Sequence, residues 1–501
     1  MKRRYFINTS LAAAVAAALP TRHAMAAALA ALGKVEGDVN ALTGEGAQVT
    51  LERAAVQELS DQLRGRLLLP GFEGYEQARR VLNLSIDKHP ALVVQPSGAS
   101  DVCAAVTFAR ERNLLLAVKG GGHSYGGKGT CDGGMQIDLS TLRSARVDPA
   151  SKTAYIGGGS LLGELDHESA LFNLVTTAGT VSHTGVGGLT LGGGFGRVAR
   201  RFGLALDNVK AVDIVTADGR AQRADAANNP DLYWGVRGGG GNFGVVTSFE
   251  FGLHEMNRQV IGGSVLFPLA SMRDLLNMYA DYLPEAPDEL YLDFVATSPL
   301  GSPDGICVIA VCYSGPPERA EQVLAPIYKA AKPIKDGITK VAYTALQRSG
   351  DSTEQRSTGQ YFKSGFVNEL SGAFVDTLVN GFEAMPDRGN VLILQCAGGA
   401  VSRVPVKDTA FAHRSAIATL LHGVEFPMNE GRADDFIAYG RQKWKEYEPF
   451  TDGWYANEVD KETAQMIDAN YGENYDRLVQ VKNQYDPTNL FRLNANVIPT
   501  V

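Results

Sequence analysis

Cysteine is scarce in this chain: five residues in 501, namely Cys103, Cys131, Cys307, Cys312 and Cys396. The count is odd and no Cys-x-x-Cys spacing occurs, which argues against a zinc site and against a disulfide framework. Cys307 and Cys312 lie five apart on a strand-like run, hence on opposite faces, and are not expected to pair. Most of the five are expected as buried thiols, with a single disulfide elsewhere left open, and no metal site is predicted. Long hydrophobic runs are also missing. The apolar stretch from Leu11 to Leu19 is too short to span a bilayer, so no stable membrane insertion is expected. Positive charge is in deficit, 47 Lys and Arg against 55 Asp and Glu, and no basic face stands out. Nucleic acid is therefore not an expected partner. Internal repeats and low-complexity linkers are absent as well.

The N-terminus does carry a signal. "MKRRYFINTSLAAAVAAALPTRHAMAAALA" has a basic start, a weakly hydrophobic alanine-rich stretch and a small-x-small site at Ala24-Met25-Ala26. Arg3-Arg4 followed by Tyr5-Phe6-Ile7 resembles a twin-arginine export signal, with an ordinary secretory signal as the alternative. Residues 1–26 are read as that signal, the export machinery as a partner, and a periplasmic or secreted location follows. The twin-arginine route carries folded proteins, often with a cofactor already loaded.

What the chain has in abundance is glycine, 56 residues. "VKGGGHSYGGKGTCDGG", residues 118–134, sets one histidine among eight glycines. Glycine loses more backbone entropy on folding than any other residue, so such a density points to a mobile loop or to a large ligand lying against the main chain. Before it, Ala91–Gln95 reads as a strand and Pro96-Ser97-Gly98 as a turn. Ser100 is placed to cap a helix carrying Val102, Ala105, Val106 and Ala109, and Leu114–Val118 returns as a strand. Two more glycine clusters follow, "GTVSHTGVGGLTLGGGFGRVARRFGLALDNV" and "DLYWGVRGGGGNFGVVTSFEFGLH". Beyond about residue 257 glycine thins out and amphipathic spacing takes over, as in Leu269–Leu283, which marks a second domain.

Two nucleotide motifs fail on context. Gly122–Gly129 follows the phosphate-loop pattern up to its lysine, but Gly129 stands where Ser or Thr must hold Mg²⁺. Gly239–Gly244 satisfies G-x-G-x-x-G, yet "VVTSFEF" after it alternates as a strand, where a dinucleotide fold needs a helix. Its backbone N–H groups remain available to phosphates in another geometry.

Three glycine clusters, each beside a strand, suggest one elongated ligand. Together with "YGENYDRLVQVKNQYDPTNLFR" near the C-terminus they resemble the berberine-bridge-enzyme-like FAD-linked oxidases, of the vanillyl-alcohol-oxidase superfamily. That resemblance implies an α+β fold: a PCMH-type FAD-binding domain of two α+β subdomains over residues 60–257, and a substrate domain over 258–450 with an antiparallel sheet flanked by helices. Residues 451–501 are expected to return to the FAD domain. It also implies a covalent bond from His123 to the flavin 8α-methyl. Further cofactor contacts are expected from Gly120, Gly121, Gly122, Ser124, Tyr125, Val181, Thr184, Gly185, Gly188, Leu191, Gly192, Gly193, Gly194, Gly244, Val246, Tyr455 and Asn457. Many relatives place a second, cysteinyl flavin bond where this chain has Val181, so a single link is predicted. In that family the neighbourhood of Thr184 tunes oxygen access, and His183 is expected either to meet the flavin or to pack in its loop. In "WYANE", read as a strand, Glu458 stands where relatives often have a tyrosine base; Tyr361 and Lys363 are the other candidate bases. The implied activity is hydride transfer from a small-molecule C–H (alcohol, sugar or secondary metabolite) to flavin N5, with O₂ reduced to H₂O₂, in a monomer or dimer. A dehydrogenase serving a quinone or protein acceptor, and a flavoprotein that sequesters a small molecule, stand as alternatives.

Overall fold

The computed structural model describes residues 34–355, 358–428, 431–458 and 464–501. The expected export signal lies outside the described residues. Alternating and continuous apolar runs form three principal sheets, with helices set against them, an α+β arrangement.

The smallest of the three has four strands in the order Arg66–Leu68, Leu92–Gln95, Met135–Asp138, Leu116–Lys119. Its last three are parallel, which requires a crossover, and the helix Ala99–Glu111 supplies it. Val102, Ala105, Val106 and Ala109 are buried, as their spacing predicts. The expected cap is different: Ser100 lies inside the helix, and its neighbour Asp101 secures the turn instead. The Asp101 carboxylate accepts from the N–H groups of Ser97 (2.8 Å), Gly65 (2.9 Å) and Arg64 (3.1 Å) and so ties the turn to the residues leading into Arg66–Leu68. The core behind this sheet also takes in Val35, Ala41, Leu51 and Val56, so this unit begins well before residue 60.

An antiparallel sheet of five strands follows, in the order Ala221–Asp225, Val209–Val215, Val245–Gly252, Thr153–Gly157, Ala145–Asp148. The strand after the Gly239–Gly244 cluster sits at its centre. The helix Tyr475–Tyr485 packs Leu478 and Val481 into the core of this sheet, and Leu490 and Phe491 enter the core of the first.

The largest sheet is antiparallel and has eight strands, running from Lys335–Asp336 through Gln259–Pro268, Ile306–Tyr313, Leu290–Ser298, Gly389–Cys396 and Ala418–Pro427 to Thr358–Val367, with Thr339–Ala342 paired beside Gln259–Pro268. Helices Met272–Tyr282, Ala320–Ala330, Gly372–Gly381 and Ala433–Tyr447 pack against it. Period-two alternation splits each strand between two faces. On Gly389–Cys396, Leu392, Leu394 and Cys396 are buried toward the helices, leaving Gln395 on the other face, toward the glycine-rich units. All five cysteines are free thiols.

Candidate active site

A cavity of about 330 Å³ lies where the three sheets meet. All three glycine clusters reach it: Gly120–Gly122 from the first, Gly185, Gly187, Gly188 and Gly192 from the second, and Gly240, Gly241 and Gly244 from the third. The chain comes so close to itself here that side chains have no room. A Cβ on Gly121 would stand 2.2 Å from the Gly185 nitrogen, and one on Gly185 2.3 Å from the Gly121 nitrogen. Gly188, Gly240 and Gly241, by contrast, have nothing within 4 Å of a Cβ position, so main chain faces open cavity there.

The third cluster is held from behind. Lys482 and Asp486, both wholly buried, form an ion pair at 2.7 Å. Lys482 Nζ also donates to the carbonyl of Asn242 (2.9 Å) and of Phe491 (3.0 Å), while Asp486 accepts from the Leu490 and Phe491 N–H groups. Asn242 donates to Ala495 and accepts from Val497. The C-terminal tail and the four-glycine loop are thus one hydrogen-bonded unit, which places Phe491, Asn494 and Ala495 on the cavity wall.

Of the expected cofactor contacts, Gly120, Gly121, Gly122, His123, Ser124, Tyr125, Val181, Thr184, Gly185, Gly188, Leu191, Gly192, Gly244, Val246, Tyr455 and Asn457 line the cavity. Gly193 and Gly194 stand one layer back. Their φ values of 146° and 89° bring the Gly194 N–H to the Tyr455 hydroxyl at 2.9 Å, so they position that ring rather than the ligand. Asn457 donates to the same hydroxyl (2.8 Å) and to the Leu189 carbonyl (3.1 Å). Burial pushes the Tyr455 phenol well above its usual pKa.

"WYANE" is a turn, not the expected strand: the Glu458 N–H donates to the Tyr455 carbonyl at 2.9 Å. Tyr455, Ala456, Asn457 and Glu458 therefore all reach the cavity instead of alternating. Glu458 as a residue is half-buried, but its Oε2 is shut off from solvent and has no hydrogen-bond partner. Burial pushes its carboxyl up to about 8; a hydrogen bond from the Ser364 hydroxyl works against this, and the charge of Asp293 adds to it. Asp293 is itself buried and pushed up to about 7, even though Tyr291 and the Cys396 N–H (2.9 Å) hydrogen-bond to it.

Tyr361 and Lys363 do not reach the site. Along Thr358–Val367, Phe362, Ser364 and Phe366 face the cavity side: Phe362 packs on Tyr125 with the rings tilted and their centroids 4.2 Å apart, and Ser364 Oγ accepts from the Tyr455 N–H at 3.3 Å. Alternation turns Tyr361 and Lys363 to the opposite face. There Tyr361 packs with Val424, Phe426 and Phe436 under Gly440, and Lys363 lies in register with His422. Neither is placed to act as a base in the cavity.

Gln395, Phe195 and Asn494 line the cavity and were not singled out in the sequence. For Gln395 there was a signal: in "NVLILQC" it is the lone polar side chain near the end of an apolar strand. Among the described residues no cluster of three or more His, Cys, Asp or Glu is placed to hold a metal ion.

The segment bearing Val181, His183 and Thr184 is clamped from the large-sheet side. Arg197 donates to the Thr180 carbonyl (2.7 Å) and to Gln347 (2.6 Å), and the Ser182 hydroxyl meets Asp351 at 2.8 Å. His183 is turned toward the first cluster, with Nδ1 2.7 Å from Nε2 of His123, while Thr184 Oγ1 lies 3.3 Å from Nδ1 of His123.

These residues fit a dinucleotide such as FAD: exposed main chain for a pyrophosphate, the unpartnered Asn494 Oδ1 for a ligand donor, and side chains of mixed polarity at the large sheet. Comparison with known proteins agrees. Residues 90–225 match the FAD binding domain family model, and residues 454–498 match the berberine and berberine-like model. An FAD-linked oxidoreductase of Dictyostelium discoideum is 32% identical over 450 residues, covering 89% of this chain and 97% of the relative. (R)-6-hydroxynicotine oxidase of Paenarthrobacter nicotinovorans is 29% identical, with 87% and 97% covered. The crystal structure of 6-hydroxy-D-nicotine oxidase from Arthrobacter nicotinovorans superimposes with a TM-score of 0.80 at 27% identity, over 87% of this chain and 98% of that one. The fold is that of the PCMH-type FAD oxidases, and the chain belongs to the berberine-bridge-enzyme-like FAD-linked oxidoreductases.

Proposed function

We propose that this protein is an exported oxidase with one covalent flavin link, through His123, that oxidises a small molecule at a C–H bond and passes the electrons to dioxygen. The observation that carries the reading is Glu458: a carboxyl with one shielded, unpartnered oxygen at the wall of the cavity that Gln395 also lines. FAD bound in the cavity supplies the two-electron acceptor. The Gly120–Gly122, Gly188 and Gly240–Gly241 main chain would hold its phosphates and ribityl chain, and Asn494 a polar group of the nucleotide.

Glu458 accepts the O–H or N–H proton of the substrate as hydride leaves the neighbouring carbon. With its pKa near 8, about a tenth of it is ionised at pH 7, so its reactive form grows with pH up to that value. The nearby Ser364 hydroxyl favours the ionised carboxylate, and Gln395, which lines the same cavity, offers an amide to orient the substrate oxygen or nitrogen. Val181 supports a single link, having no thiol with which to form a second. The N-terminal signal supports export, and the 6-hydroxynicotine oxidase among the relatives supports a small heterocycle, alongside alcohols and sugars, in a first substrate screen.

Two measurements test this. Acid precipitation is expected to leave the flavin in the pellet, bound to the peptide containing His123; release of all flavin to the supernatant sinks the attachment. With a substrate found by peroxide release, kcat/KM is expected to rise about tenfold per pH unit below pH 8 and level off above it. A flat profile from pH 6 to 9 removes Glu458 as the base.

A further inference from the structure

A second cavity, of about 300 Å³, plays no part in the proposed reaction. Lys119, Gly120, Gly121 and His123 line both it and the cofactor cavity, so one short stretch of chain stands between the two. The rest of its wall is different. Val81, Leu82, Leu84 and Leu161 make it apolar, and Arg80 and Arg143 add charge of one sign. Among the described residues no carboxylate lines it.

Two of its three cations are already balanced. Buried Asp138 lies 3.4 Å from Lys119, and Glu164 lies 2.7 Å from Arg143. Arg80 is the exception. Glu76 and Asp87, whose carboxylates feel its charge, are both held by Arg79, at 2.6 and 2.5 Å. Arg80 itself is exposed and forms no ion pair among the described residues. The chain that carries it is nonetheless fixed. Its carbonyl accepts from Lys119 Nζ (3.3 Å), and two residues on the Leu82 N–H donates to the Gly122 carbonyl (2.9 Å). Leu84, in the same wall, is 41% exposed, a large apolar side chain that the fold leaves uncovered.

We propose that this cavity binds a small organic carboxylate, with Arg80 taking the carboxylate and Leu84, Val81, Leu82 and Leu161 covering the apolar body. A guanidinium presents a planar fork of donors that matches the two oxygens of a carboxylate. An apolar wall with a few polar groups at fixed points is the usual make-up of a small-molecule site. The two features select together. An inorganic anion meets the charge but leaves the wall uncovered, and a neutral analogue covers the wall but leaves the guanidinium unpaired. A cation is repelled, since no acid lines the cavity to receive it. The site depends neither on a covalent flavin link nor on Glu458 as base.

The test is calorimetric titration of the FAD-loaded full-length protein with benzoate, with its neutral isostere benzamide, and with inorganic phosphate. Benzoate is expected to bind one to one and saturably, with benzamide and phosphate each at least tenfold weaker. Arg80→Gln is expected to weaken benzoate at least tenfold at unchanged FAD content, since the side chain is exposed and its carbonyl contact to Lys119 remains. Leu84→Asp, which puts a carboxylate into the wall, is expected to weaken it at least as much. Absence of benzoate binding, equal binding of benzamide, or undiminished binding in Arg80→Gln overturns the proposal. Benzoate that binds only protein stripped of FAD also overturns it, because the ligand then occupies the cofactor cavity. Phosphate as tight as benzoate overturns the organic part of the assignment, since charge alone then suffices.

Discussion

The cavity has two kinds of wall. Where Gly120–Gly122, Gly185, Gly188 and Gly240–Gly241 line it, the wall is main chain, and its shape depends on side chains being absent. Toward the large sheet the wall is made of Val181, Gln395, Tyr455 and Glu458, and its chemistry depends on which side chains are present. In the first wall a Cβ would collide with backbone at Gly121 and Gly185 and would enter the cavity itself at Gly188, Gly240 and Gly241; in the second the side chains themselves carry the polar groups. One therefore sets which cofactor fits, and the other what is done with it.

The sharpest way to break the main-chain wall is Gly121→Val. With a Cβ only 2.2 Å from backbone, that variant is expected to retain less than about a tenth of wild-type FAD per protein, read from the flavin absorbance of purified protein. The side-chain wall is expected to respond in the opposite manner. Glu458→Gln keeps shape and hydrogen bonding, so full FAD content should persist while kcat/KM falls by about 10²–10⁴ and its alkaline rise disappears. Loss of flavin in this variant would mean that the two walls are not separable.

Lys482→Met attacks the main-chain wall from behind. It leaves Asp486 buried with two backbone N–H donors and no counter-charge, and takes a donor from the Asn242 and Phe491 carbonyls. Breaking such a pair costs about 3–5 kcal/mol, measurable by denaturant unfolding, and FAD affinity should weaken with it. The smallest effect is expected from Tyr361→Phe. The ring lies on the far face of the sheet, so kcat/KM should stay within about twofold of wild type and stability within about 1 kcal/mol. A large loss of activity there would contradict the face assignment.

The same division governs what local pattern reveals. The helix carrying Val102, Ala105, Val106 and Ala109, the strand after Gly244 and the helix Tyr475–Tyr485 follow from local periodicity, and each is present. Glycine clusters were legible as a main-chain wall because so many missing side chains raise the entropic cost of ordering the chain, a cost that contact between backbone and ligand offsets. The place of Glu458 in "WYANE" points to a base, but through a strand geometry that a turn replaces. The segment "QYFKSGF" offers Tyr361 and Lys363 as candidate bases, but nothing local says which face they take. Which face of Thr358–Val367 meets the cavity is fixed by its pairing with Ala418–Pro427 and by the helix Ala433–Tyr447 covering the other side. The role of Gly193 and Gly194 behind Tyr455, 261 residues away in the chain, lay equally beyond local pattern.

The sequence by itself determined the three glycine clusters, the order of the elements around them, the failure of both nucleotide motifs and the lack of a thiol at position 181. These depend on residue type and near-neighbour spacing, which the chain carries whatever its shape. Only the tertiary structure decided that His183 meets His123, that Asp101 rather than Ser100 secures its turn, and that Lys482 anchors the Asn242 loop. It also decided that Glu458, of the three candidate bases, lines the cavity. Each of these is a contact between distant segments, or a choice of face, and both are set by packing of the sheets, which no local spacing encodes.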